Sequence, residues 1–235
     1  MKSLRKLMLF PLFFALTTST IAQRMSCCSP SATESFNQLA SNVSFKMSHQ
    51  DPLPFYFKSD GGKSINFTAA DGKKAFGYEV KSKTKTKNYL LVIHEWWGLN
   101  DYIKQESEKM ARDIGNVNVI AIDMYDGKVA DNKDSAQVYM QAAKDTRLTA
   151  IIKGAINYAG KDARIYTIGW CFGGGWSLQT ALLAGKQAKG CVMYYGMPEK
   201  DVSKLKKLNC DVLGIFGNKD QWINPTVVAE FKKNM

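Results

Sequence analysis

The chain has few histidines and no paired-cysteine motif. Only His49 and His94 are histidines among its 235 residues, and no histidine follows position 94. The absence of a C-x-x-C pair argues against a thiol redox protein. Adjacent Cys27 and Cys28 have no partner at the spacing of a zinc site. The sequence implies neither a metal nor an organic cofactor.

The sequence also lacks an apolar run long enough to cross a bilayer well. Its most apolar stretch, residues 7–16, follows a basic start and precedes small and polar residues up to Ala22. This order is typical of a secretory signal peptide, so we predict one over residues 1–22. We expect a periplasmic or secreted protein with no stable membrane span after cleavage. The residues before Cys27 lack the apolar position of a lipidation signal, which disfavours a lipid anchor there.

Acidic residues are scarcer than basic ones, with 21 against 32 and a net charge of +11. Such an excess can attract nucleic acid, acidic lipid or anionic substrates. The densest basic run, residues 81–87, lies between two strand-like segments and is more simply interpreted as a solvated hairpin loop. No nucleic-acid-binding motif accompanies it, so we expect no nucleic-acid partner.

Length and composition favour one globular domain. A chain of 235 residues is long enough for one domain with a large core and short for two domains of ordinary size. Residues 23–60 are rich in Ser, Asn, Gln and Pro without a sustained period, which predicts a linker or an arm packed on the domain surface. We assign residues 61–235 to the domain and expect a monomer.

Alternating strand and helix patterns predict an α/β domain with a mainly parallel sheet. Apolar runs predict strands over residues 64–68, 75–80, 89–93, 117–122, 165–169, 190–194 and 212–216. Helical patterns cover residues 101–114 with Asp101 as the cap, 135–159, 174–184, and a last segment starting near Pro225. This alternation implies right-handed crossovers, helices on both faces of the sheet, and chemistry at the carboxyl ends of the strands.

The segment Gly169-Trp170-Cys171-Phe172-Gly173 lies where a predicted strand meets a predicted helix. A nucleophile elbow needs such glycines, because neighbouring side chains would collide with the tight turn that holds the nucleophile in a strained conformation. The start of a helix also favours the thiolate form of a cysteine. The alternative is a buried structural cysteine in a glycine-rich turn.

Two acidic residues follow other predicted strands. Asp220 could orient an imidazole, or it could cap the helix near Pro225 or close a turn; its position after Cys171 favours the catalytic interpretation. Glu95 lies in the loop where this type of fold supplies its second oxyanion donor. The aromatic side chains of Trp96 and Trp97 could form a wall of a substrate pocket or pack on the sheet.

Four motifs together resemble the dienelactone hydrolase family of the α/β-hydrolases, over about residues 64–235. They are His94-Glu95-Trp96-Trp97-Gly98, Asp123-Met124-Tyr125, Gly169-Trp170-Cys171-Phe172-Gly173-Gly174 and Gly217-Asn218-Lys219-Asp220. The resemblance implies an α/β-hydrolase fold. It also implies carboxymethylenebutenolidase-like cleavage of a small-molecule ester or lactone through an acyl-enzyme.

The same resemblance implies roles for individual residues. Cys171 corresponds to the nucleophile, Asp220 to the acid that orients a histidine, and Glu95 to the residue that contacts the resting thiol. The backbone N–H groups of Trp96 and Phe172 are expected to form the oxyanion hole. Trp97 and Tyr139 are expected to bind the substrate.

The chain departs from the family pattern at two points. The family has an arginine one turn before the position of Tyr139, and this chain has Ser135 there instead. The replacement removes one partner for a substrate carboxylate. The family's histidine lies roughly thirty residues beyond the acid in the order nucleophile, acid, histidine. We therefore expect the catalytic histidine beyond residue 235, and a fold that lacks its C-terminal strand and helix. The competing hypothesis is a non-catalytic hydrolase-like protein that binds a ligand in the same cleft.

Overall fold

The computed structural model of the protein describes residues 30–235. The predicted signal peptide and Cys27 lie outside the described residues, so both interpretations stay predictions. Among residues 30–235, no helix combines the length and the apolar character needed to cross a membrane.

Seven strands form one sheet in the described part of the chain. They are β1 (Gly62–Thr68), β2 (Lys74–Val80), β3 (Asn88–Ile93), β4 (Asn118–Ile122), β5 (Arg164–Trp170), β6 (Ala188–Tyr194) and β7 (Val212–Ile215). Their spatial order is β1-β2-β4-β3-β5-β6-β7, with β2 antiparallel to both of its neighbours and every other pair parallel. The predicted mainly parallel sheet is therefore confirmed. Because β4 lies between β2 and β3, the lysine-rich segment 81–87 is a crossing connection, and the predicted hairpin is wrong.

Eight helices flank the sheet in the same part of the chain. They are α1 (Ala32–Ala40), α2 (Val43–Ser48), α3 (Asp101–Ile114), α4 (Lys133–Ala142), α5 (Asp145–Ala159), α6 (Phe172–Ala184), α7 (Val202–Leu205) and α8 (Pro225–Asn234), with a short 3₁₀ turn at Gly185–Gln187. The sheet is covered on both faces. In β3, Leu91 and Ile93 point into the larger core, whereas Leu90 and Val92 point into the smaller core on the other face.

Two details of the predicted helices are wrong. The single helix over residues 135–159 is two helices, because Lys144 adopts an extended conformation between α4 and α5. The break lets both halves bury apolar side chains, with Met140 at 0% and Leu148 at 1% exposure. The cap of α3 is Asn100, whose side chain accepts a hydrogen bond from the Ile103 N–H.

Residues 31–49, here called the N-terminal arm, contain α1 and α2 and pack against the domain. A capping box at Ser31 and Glu34 starts α1, and Asn42 caps α2. Phe36 and Phe45 are buried in the larger core. The arm thus shares the core of the domain through its aromatic side chains.

Candidate active site

Cys171 lies at a sharp turn between β5 and α6. Its φ of 57° is in the left-handed region that a side chain other than glycine adopts only at a cost. A Cβ added at Gly169 would lie 2.1 Å from the carbonyl oxygen of Gly173, so the turn closes only with glycine at position 169. The Cys171 N–H donates to the carbonyl oxygen of Tyr194 at 3.0 Å. The geometry is that of a nucleophile elbow at the carboxyl edge of the sheet.

The resting thiol of Cys171 is protonated, contrary to the expected effect of the helix start. Burial raises the pKa of Cys171 well above its usual value, and the charge of Glu95 and, more weakly, that of Asp220 raise it further. The N–H of Phe172 lowers the same pKa but does not outweigh these effects. One hydrogen bond at the helix start lowers the pKa of the thiol, whereas desolvation and two carboxylates raise it by more.

Glu95 follows β3 and is half-buried beside the elbow. Burial raises the pKa of its carboxyl, whereas a hydrogen bond from Tyr195 and the charge of His49 lower it. Tyr195 Oη lies 3.2 Å from Glu95 Oε1. Tyr195 has a φ of 37°, a second strained position at the carboxyl edge of the sheet. Sequence reasoning missed Tyr195, although its place directly after a buried strand is the signal that could have found it.

Replacing Glu95 by glutamine is expected to accelerate alkylation of Cys171 at neutral pH. Removing the nearby negative charge lowers the pKa of the thiol, so the thiolate fraction and the rate with iodoacetamide rise about three- to tenfold. Peptide mapping of the alkylated protein measures the rate at Cys171. The exposed Glu106 of α3 provides the matched control, since Glu106→Gln removes the same charge elsewhere. A rate unchanged from wild type in Glu95→Gln would show that the two side chains are not coupled.

His94 holds the loop after β3, residues 94–98, and is not placed to act as a base. Its ring is fully buried, Nδ1 is hydrogen-bonded to the carbonyl oxygen of Glu95, and Nε2 lies 3.1 Å from the Met124 N–H. Because a carbonyl only accepts and an amide only donates, Nδ1 carries the proton and Nε2 is the acceptor. Burial lowers the pKa of His94, which keeps this neutral form. Both ring nitrogens are therefore engaged in holding the loop.

The two tryptophans of the loop pack in the core. Trp96 is 0% and Trp97 8% exposed, with ring centroids 4.9 Å apart. Nε1 of Trp96 is buried and has no hydrogen-bond partner among the described residues. Packing is thus the interpretation that the structure supports for both rings, and contact of Trp97 with a substrate stays a prediction.

Asp220 closes a turn after β7 and also reaches the thiol electrostatically. Its Oδ1 accepts hydrogen bonds from the N–H groups of Trp222 and Ile223, each at 2.8 Å. The cap of α8 is Asn224, so Asp220 is not the helix cap. The charge of Asp220 raises the pKa of Cys171, so the Asp220 carboxylate lies within electrostatic reach of that thiol.

The ring of Tyr125 separates Tyr139 from the elbow. Its ring centroid is 6.4 Å from that of Tyr125, which in turn lies 5.7 Å from that of Phe172. Lys128 Nζ is 5.5 Å from the centroid of the Tyr139 ring. Ser135, at the position of the missing arginine, is engaged with the α4 cap through Asn132. A cation therefore lies beside the Tyr139 ring, but it belongs to Lys128 and not to a residue at position 135.

The sheet order and the strand–elbow–helix geometry at Cys171 define an α/β-hydrolase. The chain belongs to the dienelactone hydrolase family, whose family model matches residues 76–235. Within residues 30–235, no cluster of three or more His, Cys, Asp or Glu side chains could hold a metal ion.

Named relatives and solved structures agree with this assignment. The chain is 28% identical over 187 residues to a putative carboxymethylenebutenolidase of Aquifex aeolicus, covering 74% of this chain and 78% of that protein. It is 28% identical over 186 residues to Protein usf of Aquifex pyrophilus, with the same coverage of each chain. The crystal structure of a putative dienelactone hydrolase from Klebsiella pneumoniae has a TM-score of 0.59 at 20% identity, covering 74% of this chain and 80% of that one. The last comparison supports the shared fold.

Proposed function

We propose that the protein cleaves a carboxylic ester or lactone with Cys171 as the nucleophile. The observation that carries this proposal is the position of Cys171 in a strained left-handed conformation between β5 and α6, where the charges of Glu95 and Asp220 both reach its thiol. Strain at this position is costly, and a purely structural cysteine has no need of two carboxylates nearby.

The resting site keeps the nucleophile protonated, so attack requires a proton acceptor. The Glu95 carboxylate is the acceptor favoured by the electrostatics, because its charge acts directly on the thiol. Transfer of the proton to Glu95 leaves a thiolate that attacks the substrate carbonyl carbon. The oxyanion that forms would be stabilised by the backbone N–H groups of Trp96 and Phe172. Collapse breaks the bond between the carbonyl carbon and the leaving oxygen, which takes the proton held by Glu95 to become the alcohol, and leaves a thioester on Cys171.

Hydrolysis of the thioester by water requires a base. His94 has both nitrogens engaged, and neither histidine of the sequence hydrogen-bonds to Asp220 in the described residues. We propose that Asp220 orients the base that activates this water.

The substrate is proposed to be a small molecule. Tyr139 and Lys128 line a cavity of about 110 Å³, and Lys128 offers a positive charge to an anionic ester or lactone. Trp97 stays a proposed substrate contact. We also propose export to the periplasm or the exterior, which the leader pattern in residues 1–22 supports. The exported protein is proposed to be a monomer.

Steady-state hydrolysis by the protein from its native source tests the proposal. Release of acid from p-nitrophenyl acetate and from a five-membered lactone should saturate with substrate concentration. Glu95→Gln should then reduce turnover while its resting thiol alkylates faster, because the two measurements depend on Glu95 in opposite ways. Saturable binding of the lactone without release of acid would instead favour a non-catalytic ligand-binding protein.

A further inference from the structure

Arg147, in the first turn of α5, binds two carboxylates and a backbone carbonyl through one guanidinium group. Its Nε donates to Asp126 Oδ2 at 3.1 Å, and its Nη2 donates to the other oxygen of the same carboxylate. Its Nη1 donates to both oxygens of Asp71, at 2.9 and 3.1 Å, and Nη2 also donates to the carbonyl oxygen of Lys74 at 2.7 Å. A two-point contact fixes the orientation of a carboxylate as well as its position. The guanidinium therefore holds α5, the β1–β2 turn and the loop after β4 together.

Asp126 lies in a tight turn of the loop after β4, here called turn 125–128. The Lys128 N–H donates to the carbonyl oxygen of Tyr125 at 3.3 Å, and the φ angles of Asp126 and Gly127 are 54° and 90°. Positive φ at a residue other than glycine persists only where the surroundings hold it. The Asp123 carboxylate holds the turn from within the loop, by accepting from the N–H groups of Tyr125 and Gly127. The guanidinium holds it from another element, through the Asp126 side chain.

Turn 125–128 ends at Lys128, which lines the cavity of about 110 Å³ together with Arg147 and Tyr125. The centroid of the Tyr125 ring lies 5.7 Å from that of Phe172, the residue after the nucleophile. Asp71 and Asp126 offset the charge of Arg147, with side-chain contacts to both. The guanidinium is therefore suited to hold the turn, whereas the ammonium group of Lys128 is suited to bind an anion.

We propose that Arg147 is a positioning residue for substrate selection: by binding Asp126, it sets where Lys128 meets the negative group of an ester or lactone in this cavity. The inference rests on the proposed function, and it adds that the substrate carries a carboxylate. Without the guanidinium, turn 125–128 relaxes toward conformations with negative φ at Asp126, and Lys128 leaves its place at the cavity. The KM for an anionic ester then rises more than the KM for an uncharged ester of the same size.

The first test compares two p-nitrophenyl esters with four-carbon acyl chains, the neutral butyrate and the anionic monoester of succinic acid. In Arg147→Met, the ratio of kcat/KM for the anionic ester to kcat/KM for the neutral ester is expected to fall about three- to tenfold, through KM. An unchanged ratio overturns the inference, because loss of a merely structural contact lowers both values by the same factor. Arg164→Met removes the same charge at an exposed position at the start of β5, and should keep the wild-type ratio.

A milder variant covers the case in which Arg147→Met does not fold. Asp126→Asn removes the charge that Arg147 binds, and asparagine tolerates the left-handed backbone conformation at this position. The ratio is expected to fall in Asp126→Asn in the same direction. A wild-type ratio in this variant overturns the inference.

Double variants test whether Arg147 acts through Lys128. In a Lys128→Met chain, Arg147→Met is expected to change the ratio no further, because both substitutions act on the same charge. Lys144 lines the same cavity but lies in the extended connection between α4 and α5. Arg147→Met is therefore expected to keep its effect in a Lys144→Met chain. Full additivity of Arg147→Met and Lys128→Met overturns the positioning role.

Binding to the Cys171→Ala chain separates this inference from the proposed function. The ligand is monomethyl succinate, and isothermal titration calorimetry measures its dissociation constant. Adding Arg147→Met is expected to weaken binding about three- to tenfold. Weaker binding supports the role of Arg147 even if the protein cleaves no ester, a result that would contradict only the proposed function. Equal binding by the two chains, or binding by neither, overturns the inference whether or not Cys171 is the nucleophile.

Discussion

Replacing Cys171 by alanine is expected to reduce ester turnover by at least about 10⁴-fold. Alanine keeps the Cβ atom of the buried side chain but removes the sulfur that attacks the carbonyl carbon. The oxyanion donors and substrate binding then supply only the residual rate. Initial rates with p-nitrophenyl acetate measure the loss, and circular dichroism establishes that the variant is folded.

Cys210 provides the matched control for this substitution. It is a half-buried free thiol before β7, with no role in the proposed chemistry. Cys210→Ala should therefore keep wild-type turnover. If Cys171→Ala keeps turnover within about tenfold of wild type, the assignment of the nucleophile is wrong, because loss of a true nucleophile costs far more.

Replacing Gly173 by alanine is expected to destabilise the fold by about 3 kcal/mol or more and to abolish turnover. An added Cβ would lie 2.3 Å from the carbonyl oxygen of Ile93 and 2.4 Å from that of His94. Both contacts are to backbone, so relief requires α6 to move away from β3. That movement displaces the elbow and the loop after β3 together. Urea denaturation monitored by tryptophan fluorescence measures the free energy of unfolding.

Gly61 is the matched control for Gly173. An added Cβ at Gly61 meets nothing within 4 Å, so Gly61→Ala should change the free energy of unfolding by no more than about 0.5 kcal/mol. Equal stability of Gly173→Ala and Gly61→Ala would contradict the close approach of α6 to the carboxyl end of β3.

The core of the fold was predictable because its strands are short apolar runs separated by turn signals. Residues 89–93 and 117–122 read as buried strands, and both lie in the parallel part of the sheet. The elbow was predictable because glycines at fixed offsets from Cys171 report a steric requirement that is local in sequence. Such features depend on near neighbours and leave a direct trace in the residue pattern.

Features that depend on tertiary packing were not predictable. No glycine or proline marks the break between α4 and α5, and the short helices of the arm lack a long period. Tyr195 hydrogen-bonds to Glu95 from a distant part of the chain. The protonated state of Cys171 likewise follows from burial and from the carboxylates of Glu95 and Asp220, which are distant in sequence but close in space. The sequence itself shows only the favourable helix start.

A covalent acyl-enzyme is the most direct test of ester cleavage through Cys171. The full chain is exposed briefly to p-nitrophenyl acetate, quenched in acid, and analysed by intact-mass and peptide mass spectrometry. We expect one acetyl group per chain, located on the peptide that contains Cys171 and absent in Cys171→Ala. Acetylation confined to other residues, or turnover of the ester with no thioester at Cys171 under any quench time, would contradict it.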